Sequence, residues 1–407
     1  MKDLKKIDSC CEVCGSKNIV EVLNLGKHPL CDDLIPIGSN TTCKTYPIEI
    51  VFCKNCFTAF QNYEVEKKVL FPQTYHYRAR MTGSVLSGMK DLVENIEDRL
   101  GNLKGKLVLD IGCNDGSLLN FFEEKGSKTV GIEPTSAAND SKHETINEYF
   151  DAASASYFKK RHGHPDIVTF TNVFAHINNL PELLENLKII LGKETTLVIE
   201  NHYLGAVLDT DQFDTFYHEH PRTYSQKSFE FIAKTLGKTL FDVQYVSRYG
   251  GNIRVYMGSN QNISYAKKNE DDFLAKFKIM EEKISIWQKE MRIFLEEKIA
   301  KYGKLRAKAF PGRAAILVKL LGLNEKHISA VYEITGSRKV QNYVPGTRIP
   351  ILPEAELFAK EDISLPILNL AWHLPREVRA NLKKNGYLGE VIDIKKAQFI
   401  EELVISE

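Results

Sequence analysis

The segment Phe213-Asp-Thr-Phe-Tyr217-His218-Glu219-His220-Pro221-Arg222-Thr-Tyr224-Ser225 crowds ionisable side chains into a short stretch. Histidine ionises near neutrality and can take a proton from a carbon next to a carbonyl. Tyrosine or a second histidine can donate to the enolate oxygen that results. Chemistry at an oxygen or a nitrogen would need only a base and alignment. Two other readings compete. On a strand, His218 and His220 would face the same way and could hold a metal. The segment could also be a polar surface loop.

A second group of reactive residues lies at the start of the chain. Seven of the eight cysteines fall within the first 56 residues, and Cys113 stands alone. Cys11-Glu-Val-Cys14 and Cys53-Lys-Asn-Cys56 are two Cys-x-x-Cys pairs. That spacing lets both sulfurs of a pair face one ion across a tight turn, and four thiolates complete a tetrahedron around Zn²⁺. A segment this short has little core, so the metal would supply much of its folding energy. A closed four-thiolate site leaves no position for substrate, so the expected zinc is structural. A redox dithiol would not need a second copy. Cys10, Cys31 and Cys43 are left over; Cys10 could compete with Cys11, but the spacing to Cys14 favours Cys11. Clustered cysteines fit a reducing, cytoplasmic setting rather than a disulfide-stapled secreted protein.

The third feature is Leu107-Val-Leu-Asp110-Ile-Gly112-Cys113-Asn114-Asp115-Gly116-Ser-Leu-Leu. It reads as a buried strand, a glycine turn and the start of a helix. Such a unit places its ligand beyond the carboxyl end of the sheet. It lacks G-x-G-x-x-G and is acidic where a pyrophosphate would sit, which disfavours a dinucleotide. Asp110 and Asp115 suit a ligand with a cationic amino group. The next strand ends in Gly131-Ile-Glu133-Pro134, and an acid there can accept from ribose hydroxyls. Asp-x-Gly-x-x-x-Gly with this downstream acid resembles the fingerprint of class I S-adenosylmethionine methyltransferases. On that topology Asp151 could contact adenine, and Asn172 and His176 follow the fourth strand near the reaction centre.

The elements that must position these residues alternate strand and helix over most of the 407 positions. That alternation predicts parallel sheets covered by helices. Four stretches emerge: 1–70, 71–265, 266–303 and 304–407. The third is charged and free of Pro and Gly up to Gly303, and Ile279, Ile284, Trp287 and Met291 recur at helical spacing. It predicts one long helix serving mainly as a solvated connector. Apolar residues make up 43% and formal net charge is +1, so a packed fold is expected and bulk-charge binding of nucleic acid is not. No apolar run reaches membrane-spanning length, and the first residues lack the apolar core of a secretory signal. A monomer or weak homo-oligomer acting on a small molecule is expected.

Taken together, the motifs resemble the sugar C-methyltransferases that act on nucleotide-linked 4-keto sugars. The resemblance runs nearly end to end. It includes the paired cysteines, Gly112–Gly116, Gly131–Ser136, Asn172–Ile177, Tyr217–His220, Tyr249–Arg254, Val344–Pro353 and Ala371-Trp372. It implies an α/β fold of three parts: a small N-terminal zinc-binding domain, a Rossmann-like methyltransferase domain and a C-terminal Rossmann-like domain, with the sugar nucleotide between domains. It also implies that His220 is the base, with Glu219 and Tyr217 beside it, and that His176 and a tyrosine of Thr74–Arg78, either Tyr75 or Tyr77, line the site. The chain departs from the family pattern at Ala309–Ala315, where two glycines and a lysine are replaced, at Arg338–Asn342, and at Trp372-His373. These departures fall where the family recognises substrate. O- or N-methylation of another metabolite and a non-catalytic binding scaffold are the competing readings.

Overall fold

The fold was obtained as a computed structural model, which describes residues 4–6, 10–72, 78–259, 262–359 and 362–396. Apolar runs such as Leu107–Ile111, Ile167–Thr171 and Thr196–His202 are buried on both faces, as strands covered by helices must be. They form a seven-stranded sheet. Its spatial order is Thr239–Val246, Asn252–Gly258, Thr196–His202, Ile167–Thr171, Leu107–Ile111, Lys128–Ile132 and Glu144–Ile146. The last five pair in parallel, whereas Asn252–Gly258 runs antiparallel to both of its neighbours, Thr196–His202 and Thr239–Val246. Strand order reverses between Leu107–Ile111 and Ile167–Thr171, and a crevice opens beyond carboxyl ends at such a switch point.

A second sheet is wholly parallel, in the order Ile351–Pro353, Ile328–Glu333, Leu305–Lys308, Ile367–Asn369 and Val391–Asp393. The α/β class expected from the alternation is therefore present; the second sheet is parallel throughout, whereas the first is mixed. The cysteine-rich segment contributes Ile19–Pro29, Thr45–Cys53 and Ala59–Gln61 to an antiparallel sheet. The fourth strand of that sheet is Arg222–Thr223, which comes from the histidine-bearing segment. Ile35–Pro36 pairs in turn with Asn342–Tyr343 near the second parallel sheet.

Helix Phe273–Tyr302 links the seven-stranded sheet to the wholly parallel one. It is more than a solvated rod. Phe273, Phe277, Met280 and Ile284 form a buried stripe, and the Phe277 ring lies 5.7 Å from Phe52 and 5.9 Å from Phe216. Ile279, expected on the apolar face, is exposed: the buried stripe has steps of four, three and four residues and leaves position 279 on the opposite side. No helix among the described residues is long and apolar enough to cross a membrane.

One buried ion pair fixes the C-terminal part to the centre. Asp214 is fully buried; its carboxylate accepts from Arg313 at 2.8 and 2.9 Å and from the Trp372 indole at 2.9 Å. Burial pushes this carboxyl up, but the Arg313 guanidinium outweighs it and holds Asp214 below its ordinary range. Its stabilisation is thus present above the unfolded pKa, about 4, and is lost as pH falls through the lower folded value. Asp214→Asn leaves the arginine's buried charge uncompensated. It should cost about 3–5 kcal/mol, read as a lowered midpoint in urea denaturation at neutral pH.

Candidate active site

A cavity of about 1140 Å³ opens at the switch point and is walled by all three parts of the chain. Asp110, Gly112, Cys113, Asn114, Glu133, Pro134 and Asn172 line one side, while His176, Tyr217, Glu219 and His220 line another. Gly112 has φ +74°, and a Cβ there would meet Val173 Cγ1 at 2.5 Å, so glycine is required. Asn172 has φ +54° and is tied to the sheet: its amide donates to Glu200 O at 2.7 Å, and its Oδ1 accepts from Asn252 at 3.0 Å.

Three predicted cofactor contacts lie elsewhere. Gly116 faces Ser141 and His143, so its missing Cβ serves packing outside the cavity. Asp151 caps helix Ala152–His162, accepting from Ala153 and Ser154 amides at 2.9 Å, and does not line the cavity. Asp115 accepts from Ser117 Oγ at 2.5 Å and from the Arg80 amide at 3.0 Å. Asn114 likewise accepts from the Ala79 amide at 3.0 Å. The Asn114 and Asp115 side chains thus seat the turn Ala79–Met81 against the glycine loop. Tyr75 and Tyr77 lie outside the described residues.

The electrostatics of the loop suit a cationic ligand. Asp110 accepts from Thr169 Oγ1 at 2.7 Å, yet burial pushes its carboxyl up to about 7, with nearby Glu133 adding to the rise. Glu133 accepts from the Asn114 amide at 3.0 Å through Oε2 and from Thr135 at 2.6 and 2.9 Å through Oε1, which fixes both oxygens and leaves acceptor capacity on Oε2. The Asp110 and Glu133 carboxylates beside a tight glycine turn fit a nucleoside bearing positive charge. These residues therefore fit S-adenosylmethionine.

Opposite stand three imidazoles, of which His220 is buried and His176 and His202 are half-buried. The His220 ring centroid is 4.7 Å from His176, 5.3 Å from His202 and 4.3 Å from Tyr217. His220 Nδ1 lies 2.9 Å from the Thr215 carbonyl, so Nδ1 carries the hydrogen and Nε2 keeps its lone pair. Burial lowers His176 to about 4 and His202 to about 3. It also takes His220 well below 6.5, with both neighbouring histidines adding to the shift. All three are neutral at physiological pH. Burial raises the Tyr217 phenol well above 10, so it is a donor. His202 was not singled out by its sequence surroundings, and His373 stood out only as a departure from the family pattern; His202 reaches this cavity from the end of strand Thr196–His202 and His373 from the turn after strand Ile367–Asn369. His218 points away, toward the Tyr46 carbonyl at 3.1 Å. Residues 217–220 form a turn, closed by His220 N to Tyr217 O at 2.8 Å, so the two histidines diverge and do not share a metal.

The four cysteines converge. Their sulfurs lie within 4.8 Å of one another, with Cys11–Cys56 at 3.4 Å and Cys14–Cys53 at 3.6 Å. A tetrahedron with Zn–S near ~2.3 Å has edges of about 3.8 Å, so the geometry fits zinc. Each knuckle is closed by an amide one residue beyond its pair: Gly15 to Cys11 O at 2.7 Å, and Phe57 to Cys53 O at 2.9 Å.

A family model describing a methyltransferase domain matches residues 78–241. With the loop and Glu133 above, it defines an S-adenosylmethionine-dependent methyltransferase. Models describing a zinc binding domain and a C-methyltransferase C-terminal domain match residues 11–71 and 247–391. The three matches follow one another along the chain from residue 11 to residue 391, in the order zinc binding domain, methyltransferase domain and C-methyltransferase C-terminal domain. It is 27% identical over 403 residues to C-methyltransferase NovU of Streptomyces niveus, covering 94% of each. It is 26% identical to an uncharacterized protein of Haemophilus influenzae, over 26% of this chain and 45% of that one. Among solved structures, magnesium protoporphyrin IX methyltransferase of Synechocystis shares 15% identity, with a TM-score of 0.34, over 43% of this chain and 83% of that one.

Two outcomes follow from this geometry. Cys53→Ser should abolish stoichiometric zinc, measured by metal analysis, and lower the unfolding temperature, because Cys53 ends a strand of the four-stranded sheet. Asp110→Asn should raise the unfolding temperature of the ligand-free protein at pH 8. The sign follows from a folded pKa near 7 that exceeds the unfolded value. The folded state therefore loses stability as pH rises toward 7, and the neutral amide escapes that loss.

Proposed function

We propose that this protein methylates a carbon next to the ketone of a nucleotide-linked sugar. The observation that supports the reading most is the His220 imidazole, held through Nδ1 with Nε2 unprotonated, beside His176 and Tyr217 in the cavity that also exposes Asp110 and Glu133. His220 removes the carbon's proton through Nε2. Its burial keeps the ring in the neutral, basic form. His176 or the Tyr217 phenol donates to the enolate oxygen, and donors in a dry cavity stabilise developing charge more than water does. Glu219, on the same wall, lowers the cost of the imidazolium that forms. S-adenosylmethionine, when bound, supplies an electrophilic methyl to the carbon so exposed. Asp110 would hold its amino group and Glu133 its ribose hydroxyls. Gly112, Cys113, Asn114, Pro134 and Asn172 would shape its seat.

The cavity volume exceeds the range of about 300–1,000 Å³ usual for one small ligand, which supports two bound together. Arg338 and Lys339 on the C-terminal wall bring positive charge suited to a diphosphate. The name of the Streptomyces relative points to carbon as the acceptor.

The test is mass spectrometry after incubation with S-adenosylmethionine and a panel of nucleotide-linked 4-keto sugars. A gain of one methyl, retained after the nucleotide is removed, is expected. No gain, with cofactor binding intact, overturns the reading in favour of O- or N-methylation. His220→Gln should lower turnover by about 10²- to 10⁴-fold with cofactor affinity unchanged. Because the base works unprotonated and its pKa is depressed, the acid limb of kcat/KM should lie well below pH 6.5.

A further inference from the structure

The shell behind the histidines leads out of the cavity and into the cysteine module. Arg222 follows His220 by two residues and is 2% exposed. One amino group donates to the Ile177 carbonyl at 2.9 Å, and Ile177 follows His176. The other contacts Glu64 at 3.0 Å and also Glu12. Glu12 sits inside the first Cys-x-x-Cys turn. The same Glu12 oxygen accepts from the Leu180 amide at 3.2 Å, at the start of helix Leu180–Ile190. A carboxylate inside the metal knuckle therefore holds the segment after His176 directly and the segment after His220 through Arg222.

The backbone repeats the link. Arg222 and Thr223 pair with Phe60 and Ala59, and the Gln61 amide donates to the Pro221 carbonyl at 2.9 Å. Ser225 Oγ donates to the Cys56 carbonyl at 3.0 Å. Apolar packing alone could seat the module on the central sheet. A buried guanidinium is costly unless fully paired, and here it sits beside both histidine segments. Arginine's planar fork reaches three partners in fixed directions, which the compact ammonium of lysine does not.

We propose that Glu12 and Arg222 are positioning residues, through which the closed knuckle sets the spacing of the His176 and His220 rings. The inference rests on the reading of His220 as the base. Its deciding readouts, zinc content and the histidine ring signals, need no substrate, so failure of that reading and failure of this one are told apart. The groups facing His220 are the His176 and His202 imidazoles, the Tyr217 phenol, the Thr215 carbonyl and the Arg313 guanidinium.

The experiment is NMR of the full zinc-loaded chain with carbon-labelled histidine rings, using His176→Gln and His220→Gln for assignment. Wild type should show ring-to-ring cross-relaxation between His176 and His220, and a His220 midpoint well below 6.5. Glu12→Gln and Arg222→Lys should each keep one zinc per chain. Cross-relaxation should weaken, and the His220 midpoint should rise by about one unit as the ring gains water. Turnover, with S-adenosylmethionine and whichever sugar nucleotide is methylated, should fall about 10- to 100-fold without a change in cofactor KM. Retention of both signals in both variants overturns the proposal. Loss of zinc in both also overturns it, since the pair would then serve only to fold the module.

Discussion

Four thiolates converge on a site for one metal ion and close the N-terminal module, and the sheet of that module takes its outermost strand from residues 222–223. The rest of the active-site architecture depends on that sharing. The histidine segment leaves the central sheet after Thr196–His202, passes along the cavity and is pinned at its far end to the metal-closed sheet. An exposed loop anchored at only one end would not hold a general base to the tolerance that proton transfer needs. The four-thiolate site is closed, and the strand that follows the histidine segment is paired to the sheet beside it.

Burial is used in opposite senses on the two sides of the cavity. It keeps the imidazoles of His176, His202 and His220 neutral, so none adds positive charge where a cationic cofactor must approach. It also raises Asp110, and a positive ligand restores the ionised form. The unliganded protein therefore carries electrostatic strain that binding relieves. Below this wall, Glu200 is fully buried and answered by Arg254 at 2.8 Å, by Arg248 and by Asn252 at 3.2 Å. That network holds Asn172 at its left-handed position beside the reaction end of the sheet.

The C-terminal part completes the enclosure through the Asp214 cluster, three residues before Tyr217. Arg313 and His373 both line the cavity, and Trp372, next to His373, donates to Asp214. Ala309 adopts φ +62°, a conformation that a glycine would take more easily. The C-terminal part is thus seated on the centre and brings Arg313 and His373 to the cavity wall.

What the sequence determined by itself was local. Two residues between cysteines dictate a knuckle, and strand, glycine turn and helix are contiguous from Leu107 to Leu119, so the metal set, Asp110, Gly112 and Glu133 were legible from spacing alone. The residue types at 217–220 announced acid–base chemistry, but their directions did not follow, because a turn rather than a strand sends His218 and His220 apart. Asp151 and Gly116 fitted the motif in order along the chain, yet a helix cap and a packing contact claimed them. Only the tertiary structure decided that His202, Arg313 and His373 would join one cavity, that Arg222 would complete the cysteine sheet, and that Glu12 would reach both histidine segments. The physical reason is range: backbone geometry is set within a few neighbouring residues, whereas the meeting of side chains far apart in the chain depends on strand order, crossovers and the packing of whole layers.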